Sequence, residues 1–86
     1  MTWRVDWDDR ARKELRQLDY PIQKKILQYM RERLTENPRN FGKELSGNKA
    51  GLWRYRFADI RIVCKIDDAI VTVLVLRVGH RKNVYI

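Results

Sequence analysis

The sequence predicts a small α+β domain in the order β-α-α-β-β-β, an antiparallel-rich sheet with a two-helix hairpin packed on one face. Three observations carry this prediction. A period-two segment opens the chain, two segments with apolar residues at helical spacing come next, and three strand-like segments separated by short turns close it. Eighty-six residues leave room for one domain, residues 1–86, with a small core.

In the first element Trp3, Val5 and Trp7 alternate with Arg4 and Asp6, the pattern of a half-buried strand. Asp8 or Asp9 then caps a helix whose apolar positions are Ala11, Leu15 and Leu18. Asp19 is the next cap, and Pro21 suits a first helical turn. Ile22, Ile26, Leu27, Met30 and Leu34 form the stripe of a second helix, which must end before Asn37-Pro38. Residues 36–51 read as a loop punctuated by Gly42 and Gly47, with Phe41 and Leu45 as its tethers to the core. Leu52–Phe57 and Ile60–Ile66 alternate. Ala69–Val78 is nearly continuous in apolar residues, the mark of a strand that is central or covered on both faces. Turns are expected at Ala58-Asp59 and Asp67-Asp68, and Gly79 is expected to end the last strand.

Composition narrows the function. A single cysteine excludes an internal disulfide, and no Cys/His pairs stand at zinc spacing, so neither a metal nor another cofactor is expected. No run approaches the roughly 20 apolar residues of a membrane helix, and the opening residues contain no signal-peptide core. A cytoplasmic protein with no membrane partner is therefore expected. Lys and Arg outnumber Asp and Glu by 19 to 11, a net charge of +8. Such an excess on a folding chain points to a polyanion, nucleic acid first and an acidic protein second. Residues 1–51 hold 12 basic and 8 acidic side chains, and residues 52–86 hold 7 and 3. Each part thus carries +4, but the second concentrates it on a shorter, strand-rich stretch.

A two-residue turn at Ala58-Asp59 would pair Phe57 with Ile60, Tyr55 with Ile62 and Trp53 with Cys64, all on one face. It would pair Arg56 with Arg61 and Arg54 with Val63 on the other. Slipping the register by one residue would bury arginines and expose aromatics. Like charges directly opposite one another destabilise a sheet by up to about 1 kcal/mol. A phosphate between them reverses the sign, because guanidinium forks match phosphate oxygens. The alternatives are that the pair splays into water or meets Asp59, Asp67 or Glu44.

The tail adds His80, Arg81, Lys82 and Tyr85. Strand parity alone does not bring Arg81 to the face of Arg56, although a turn at Gly79 could redirect it. His80, the one histidine, could transfer protons, and Tyr85 is able to stack on a base or share a proton. Each is equally read as a plain surface histidine or a tethering tyrosine. Cys64, on the helix side of its strand, is a core residue with no base beside it, and the Trp, Ile and Leu residues are read as core as well. Arg12, Lys13, Arg16, Lys24, Lys25 and Arg31 form solvated helix faces that are also able to meet RNA phosphates, as is Lys82.

The residues Leu52-Trp53-Arg54-Tyr55-Arg56, Asp59-Ile60-Arg61-Ile62-Val63, Ile66-Asp67-Asp68 and Val75-Leu76-Arg77-Val78-Gly79-His80-Arg81, closing on Tyr85, resemble the RelE/ParE toxin superfamily. The early strand and helices and Leu45-Ser46-Gly47 agree, so the resemblance spans nearly the whole chain. For a RelE-like member it implies a type II toxin that cleaves mRNA in the ribosomal A site without a metal. It also implies silencing by a RelB-like antitoxin with an acidic or amphipathic segment, the pair meeting operator DNA only through the antitoxin. Position by position, the resemblance places Arg54 and Arg56 beside the scissile phosphate. It makes Arg61 and Arg81 phosphate-binding arginines and Tyr85 the C-terminal tyrosine. His80 stands where RelE has a lysine. Two departures matter: RelE has lysines at the positions of Arg54 and Arg56, and the C-terminal helix of some members has no counterpart after Tyr85.

On that resemblance the 2′-hydroxyl attacks the adjacent phosphorus, leaving a 2′,3′-cyclic phosphate and a 5′-hydroxyl. Arg56, Arg61 and Arg81 would stabilise the phosphorane. His80 and Tyr85 would be the proton carriers, and the ribosome would align the mRNA. The alternative within the superfamily is a ParE-like gyrase inhibitor with no nuclease activity. A third reading is an inactive relative that binds only its antitoxin.

Overall fold

The computed structural model describes residues 2–47, 51–80 and 82. Strand β1 is Arg4–Trp7, helices α1 and α2 are Asp9–Arg16 and Tyr20–Arg33, and a single 3₁₀ turn covers Pro38–Asn40. Strands β2 to β5 are Lys43–Glu44, Leu52–Phe57, Ile60–Asp67 and Thr72–His80. They form one five-stranded sheet ordered β1-β5-β4-β3-β2. β1 runs parallel to β5 and all other neighbours are antiparallel. No described helix is long and apolar enough to cross a membrane.

The caps lie where the sequence placed them. The Asp8 carboxylate accepts from the Arg10 N–H at 3.1 Å and satisfies one of the unpaired donors of the first turn. Asp19 precedes α2 and Pro21 stands in its first turn, where the missing N–H costs nothing, although the Asp19 side chain makes no capping bond. Ala11 and Leu15 of α1, Ile26 and Met30 of α2 and its C-cap Leu34 are buried against Tyr55, Ile60, Ile62, Cys64, Val73, Val75 and Val78 of the sheet. Each such aliphatic side chain contributes about 1.5–3 kcal/mol by burial. Cys64 is fully buried, and burial pushes its thiol well above the ordinary range, which removes it as a nucleophile.

Several expectations need correction. The loop over 36–51 contains a strand, β2, whose two residues pair with Trp53 and Arg54; two residues are too few to show a period. The last strand begins at Thr72, not Ala69. Asp68–Val71 form the turn, closed by the Val71 N–H to the Asp68 carbonyl, and Ile70 is 65% exposed at its tip. The apolar run hid this boundary, because a β-branched residue at positive φ, here Val71 at 49°, leaves no mark in composition. Gly79 does not end β5, which continues to His80. Leu27, assigned to the α2 stripe, is 39% exposed at the flank of the helix. The last strand is central but not covered twice: Leu74 and Leu76 on its far face are only half-buried.

The loop before the sheet is pinned from below by the helix-facing residues of β3. The Tyr55 hydroxyl donates to the Pro38 carbonyl and Trp53 Nε1 donates to the Phe41 carbonyl, both at 2.6 Å. Phe41 packs on the core as expected. Arg39 forks onto Asp68 at 2.8 and 2.9 Å, tying the loop to the β4–β5 turn through an exposed pair. Gly42 lets the chain press this close. Its φ is +71°, and a Cβ there would lie 2.3 Å from the Arg54 carbonyl oxygen. Gly47 shares the positive φ, at +69°, but has nothing within 4 Å. Gly42→Ala is therefore expected to destabilise the fold by about 2 kcal/mol or more, and Gly47→Ala by about 1 kcal/mol. Urea midpoints of the two variants measure the difference, which isolates the clash from the backbone strain.

Candidate nucleic-acid interface

The β3–β4 hairpin has the expected register. Phe57 pairs with Ile60, Tyr55 with Ile62, Trp53 with Cys64, Arg56 with Arg61 and Arg54 with Val63. The tight turn needs a positive φ at its first central residue, and Ala58 supplies it at 53°. Because Tyr55, Ile62 and Cys64 are buried under the helices, the pleat sends Arg54, Arg56 and Arg61 to the open face. β2 adds Lys43, directly across from Arg54, and β4 adds Lys65. Arg56, Lys43 and Lys65 are exposed; Arg54 and Arg61 are half-buried and also interact with other groups of the fold. At the opposite end of this face Arg4 is neutralised by Asp6 at 2.9 Å. The positive charge is thus concentrated on β2, β3 and β4.

A β-bulge reverses the facing of residues at the end of β5. Val63 pairs with Arg77 and Cys64 with Val75, so Leu76 and Arg77 together oppose one residue of β4. The extra residue inverts the alternation. Val78 returns to the core opposite Ile62, Gly79 stands on the open face beside Arg61, and His80 crosses to the helix side opposite Ile60. There it lines a cleft with Glu14, Gln17, Asp19 and Ile22. The structure therefore separates His80 from the arginines by the thickness of the sheet, and the residue opposite Arg61 is a glycine. Arg81 and Tyr85 lie outside the described residues.

Glu14 of α1 holds the bulge. Its carboxylate accepts from Arg77 Nε at 3.1 Å, Arg77 Nη2 at 2.9 Å and the Val78 N–H at 3.1 Å. Burial alone would raise the Glu14 pKa. The bonds from Arg77 and Val78, with the charges of Arg77 and Arg10, outweigh it and hold the carboxyl below its ordinary value of 4.5.

The helix cations go elsewhere. Arg12, Lys13 and Arg16 on α1 and Lys24, Lys25 and Arg31 on α2 are exposed on the helical layer, across the sheet from Arg56 and Arg61. Lys24 lies over the Tyr20 ring, 5.4 Å from its centroid, and Lys82 is exposed. Three residues of the interface were not singled out from sequence. Lys65 was legible from the same alternation as Arg61. Lys43 needed β2 to be recognised. Tyr29 of α2 reaches the edge of β3, where it lines a cleft with Gly42, Lys43, Arg54 and Arg56; only the tertiary packing brings it there. Among the described residues no three His, Cys, Asp or Glu side chains gather as a metal site.

Known proteins share this fold and about a third of its sequence. A family model described as the ParE toxin of the type II toxin-antitoxin system parDE matches residues 5–85. Toxin RelG of Mycobacterium tuberculosis is 32% identical over 85 residues, 99% of this chain and 98% of that protein. A chain of the toxin-antitoxin complex RelBE2 from Mycobacterium tuberculosis superposes with a TM-score of 0.89 at 31% identity, covering 94% of this chain and 100% of that one. The isolated RelE toxin of E. coli superposes with a TM-score of 0.76 at 29% identity, covering 91% and 83%.

The Glu14 clasp has a measurable pH signature. A carboxyl whose pKa is depressed on folding stabilises the native state above its unfolded value and loses that contribution as pH falls through the native one. The wild-type protein is expected to lose stability on acidification below about pH 4.5, where the Glu14 contribution begins to fade. Glu14→Gln is expected to be less stable at pH 7 by about 1.5–3 kcal/mol and to show a shallower acid limb. Urea unfolding of both proteins between pH 7 and 3 tests this.

Proposed function

The chain belongs to the RelE/ParE superfamily of type II toxin-antitoxin toxins, and from that membership we propose that it is a ribosome-dependent endoribonuclease that cuts mRNA in the A site. The observation that carries the reading is the Arg56–Arg61 cross-strand pair, with Arg54 beside it, on a face that opposes like charges and invites a phosphate. The reaction is in-line transfer. The 2′-oxygen gives up its proton and forms a bond to phosphorus, the bond from phosphorus to the 5′-oxygen breaks, and that oxygen receives a proton. The products are a 2′,3′-cyclic phosphate and a 5′-hydroxyl. Arg56 and Arg61 stabilise the charge that builds on the equatorial oxygens, and Arg81 joins them in this proposal.

Arginine effectively never loses its proton, so none of these three residues serves as the base. Tyr85 is the proposed proton carrier. His80, on the helix side of the sheet, is the weaker candidate. With so little acid-base machinery, catalysis depends on charge and on alignment of the mRNA by the ribosome. Lys82 and the helix cations Arg12, Lys13, Arg16, Lys24 and Lys25 are proposed to meet RNA phosphates away from the cut.

The proposed partner in the resting state is a cognate RelB-like antitoxin, in keeping with the RelBE2 complex. An acidic amphipathic segment suits the open face, which offers Arg54, Arg56, Arg61 and Lys65 beside the half-buried Leu52 and Leu74. The ParE description of the family model keeps gyrase inhibition as the second reading. The RelE-type relatives and the paired arginines favour the nuclease.

Primer extension on mRNA in programmed ribosomes distinguishes the two readings. Wild-type protein is expected to give codon-phased cuts in the A site, and Arg61→Ala to reduce their rate by about 10²–10³-fold. Intact mRNA at saturating wild-type protein would rule out the nuclease and direct the same preparation to a gyrase supercoiling assay.

A further inference from the structure

We infer that the cleft at the outer edge of β3 is a second phosphate subsite for a single-stranded polynucleotide, one phosphodiester along from the Arg56–Arg61 pair, in which Lys43 and Arg54 supply charge and the Tyr29 phenol a neutral hydrogen bond. The inference rests on the ribonuclease reading and deepens it, by giving the strand a direction across the protein.

Four observations support it. First, the cleft has a volume of about 250 Å³, and among the described residues its lining contains two arginines, a lysine and a phenol but no carboxylate. Second, β2 pairs only with Trp53 and Arg54, so among the described residues no strand covers the edge of β3 from Tyr55 to Phe57. Third, the cations form two cross-strand pairs on one face, Lys43 with Arg54 and Arg56 with Arg61. Two residues of β3 separate the pairs, roughly 6.8 Å along the strand. That is comparable with the step between successive phosphates in an extended single strand.

Fourth, Tyr29 is held in place. The Arg33 guanidinium lies over its ring, 4.7 Å from the centroid, and the Phe57 ring tilts against it at 5.8 Å. The guanidinium covers the ring on one side, and Tyr29 lines the cleft together with Lys43, Arg54 and Arg56. Burial pushes the phenol pKa up while Arg33 opposes it, so the group is neutral near pH 7 and donates a hydrogen bond to an anionic oxygen.

The test uses 2′-deoxy oligothymidylates, which carry no 2′-hydroxyl and so are not cut. The probe d(TpT) has one phosphodiester and d(TpTpT) has two. Binding to the full chain is measured by NMR chemical-shift titration. Wild-type protein is expected to bind the longer probe about tenfold more tightly, beyond the twofold expected from having two phosphates to offer one site. Tyr29→Phe and Lys43→Gln are each expected to bring the ratio down to about two, with affinity for d(TpT) unchanged within twofold. Lys43→Gln should also lower the salt slope of log K for d(TpTpT) by about 0.7.

A wild-type ratio near two, or a tenfold ratio that both variants keep, would overturn the subsite. Should Tyr29→Phe perturb the fold, Lys43→Gln at its exposed position decides alone. The subsite and the nuclease fail independently. Loss of the ratio in the variants of a protein that leaves ribosomal mRNA intact upholds the subsite and removes the nuclease. Normal cleavage with an unchanged ratio removes the subsite alone.

Discussion

Burial of Tyr55 is the constraint on which the interface depends. Its side chain is fully buried, and its hydroxyl donates to the Pro38 carbonyl. In a strand of period two, fixing one residue fixes the facing of all the others. With Tyr55 under the helices, Trp53 and Phe57 share its face and Arg54 and Arg56 turn outward. The tight turn at Ala58-Asp59 carries the same decision across to Ile62 and Arg61. A free hydroxyl in this core would cost about 1–3 kcal/mol, so the bond to Pro38 also fixes the loop that leads into β2 and Lys43. Core packing and charge placement are therefore one event, and no residue moves to the other face without disturbing both.

The open face shows the opposite economy. Two arginines across a strand pair and a lysine across from a third arginine oppose the sheet's stability, if only by tenths of a kcal/mol each. The fold carries the arrangement because the hairpin is held from the other side, by Tyr55, Ile62 and Cys64. The apolar face supplies rigidity, and the polar face displays the cations.

The bulge at Leu76–Arg77 is the second decision, and it is electrostatic. One carboxylate on α1 accepts from Arg77 Nε, Arg77 Nη2 and the Val78 N–H in the bulged segment of β5 and so joins helix and strand at the point where the alternation inverts. The inversion sets Gly79 beside Arg61 and sends His80 to the other side of the sheet. A histidine close in sequence to the arginine cluster is thereby taken away from it, while a tyrosine from a distant helix is brought to its edge.

Much of this was legible in the chain before folding, and the reason is locality. The alternation of Leu52–Phe57 and Ile60–Ile66, the two-residue turn between them and the caps Asp8 and Asp19 are set by neighbours a few residues apart. They foretold the helices, the hairpin register and the outward facing of Arg54, Arg56 and Arg61. Lys65 obeys the same rule. What the sequence left open depends on contacts far apart along it. A two-residue strand has no period of its own, and β2 exists because Gly42 lets the loop lie against β3. A continuous apolar run carries no parity, so neither the start of β5 nor its bulge was visible in it. The positions of Glu14 against Arg77, of His80 and of Tyr29 rest on helices packing across a sheet, 63 residues apart in the first case. The sequence by itself determined which residues point out, because that is a matter of period. The tertiary structure decided which of them meet, because that is a matter of packing between elements remote in the chain.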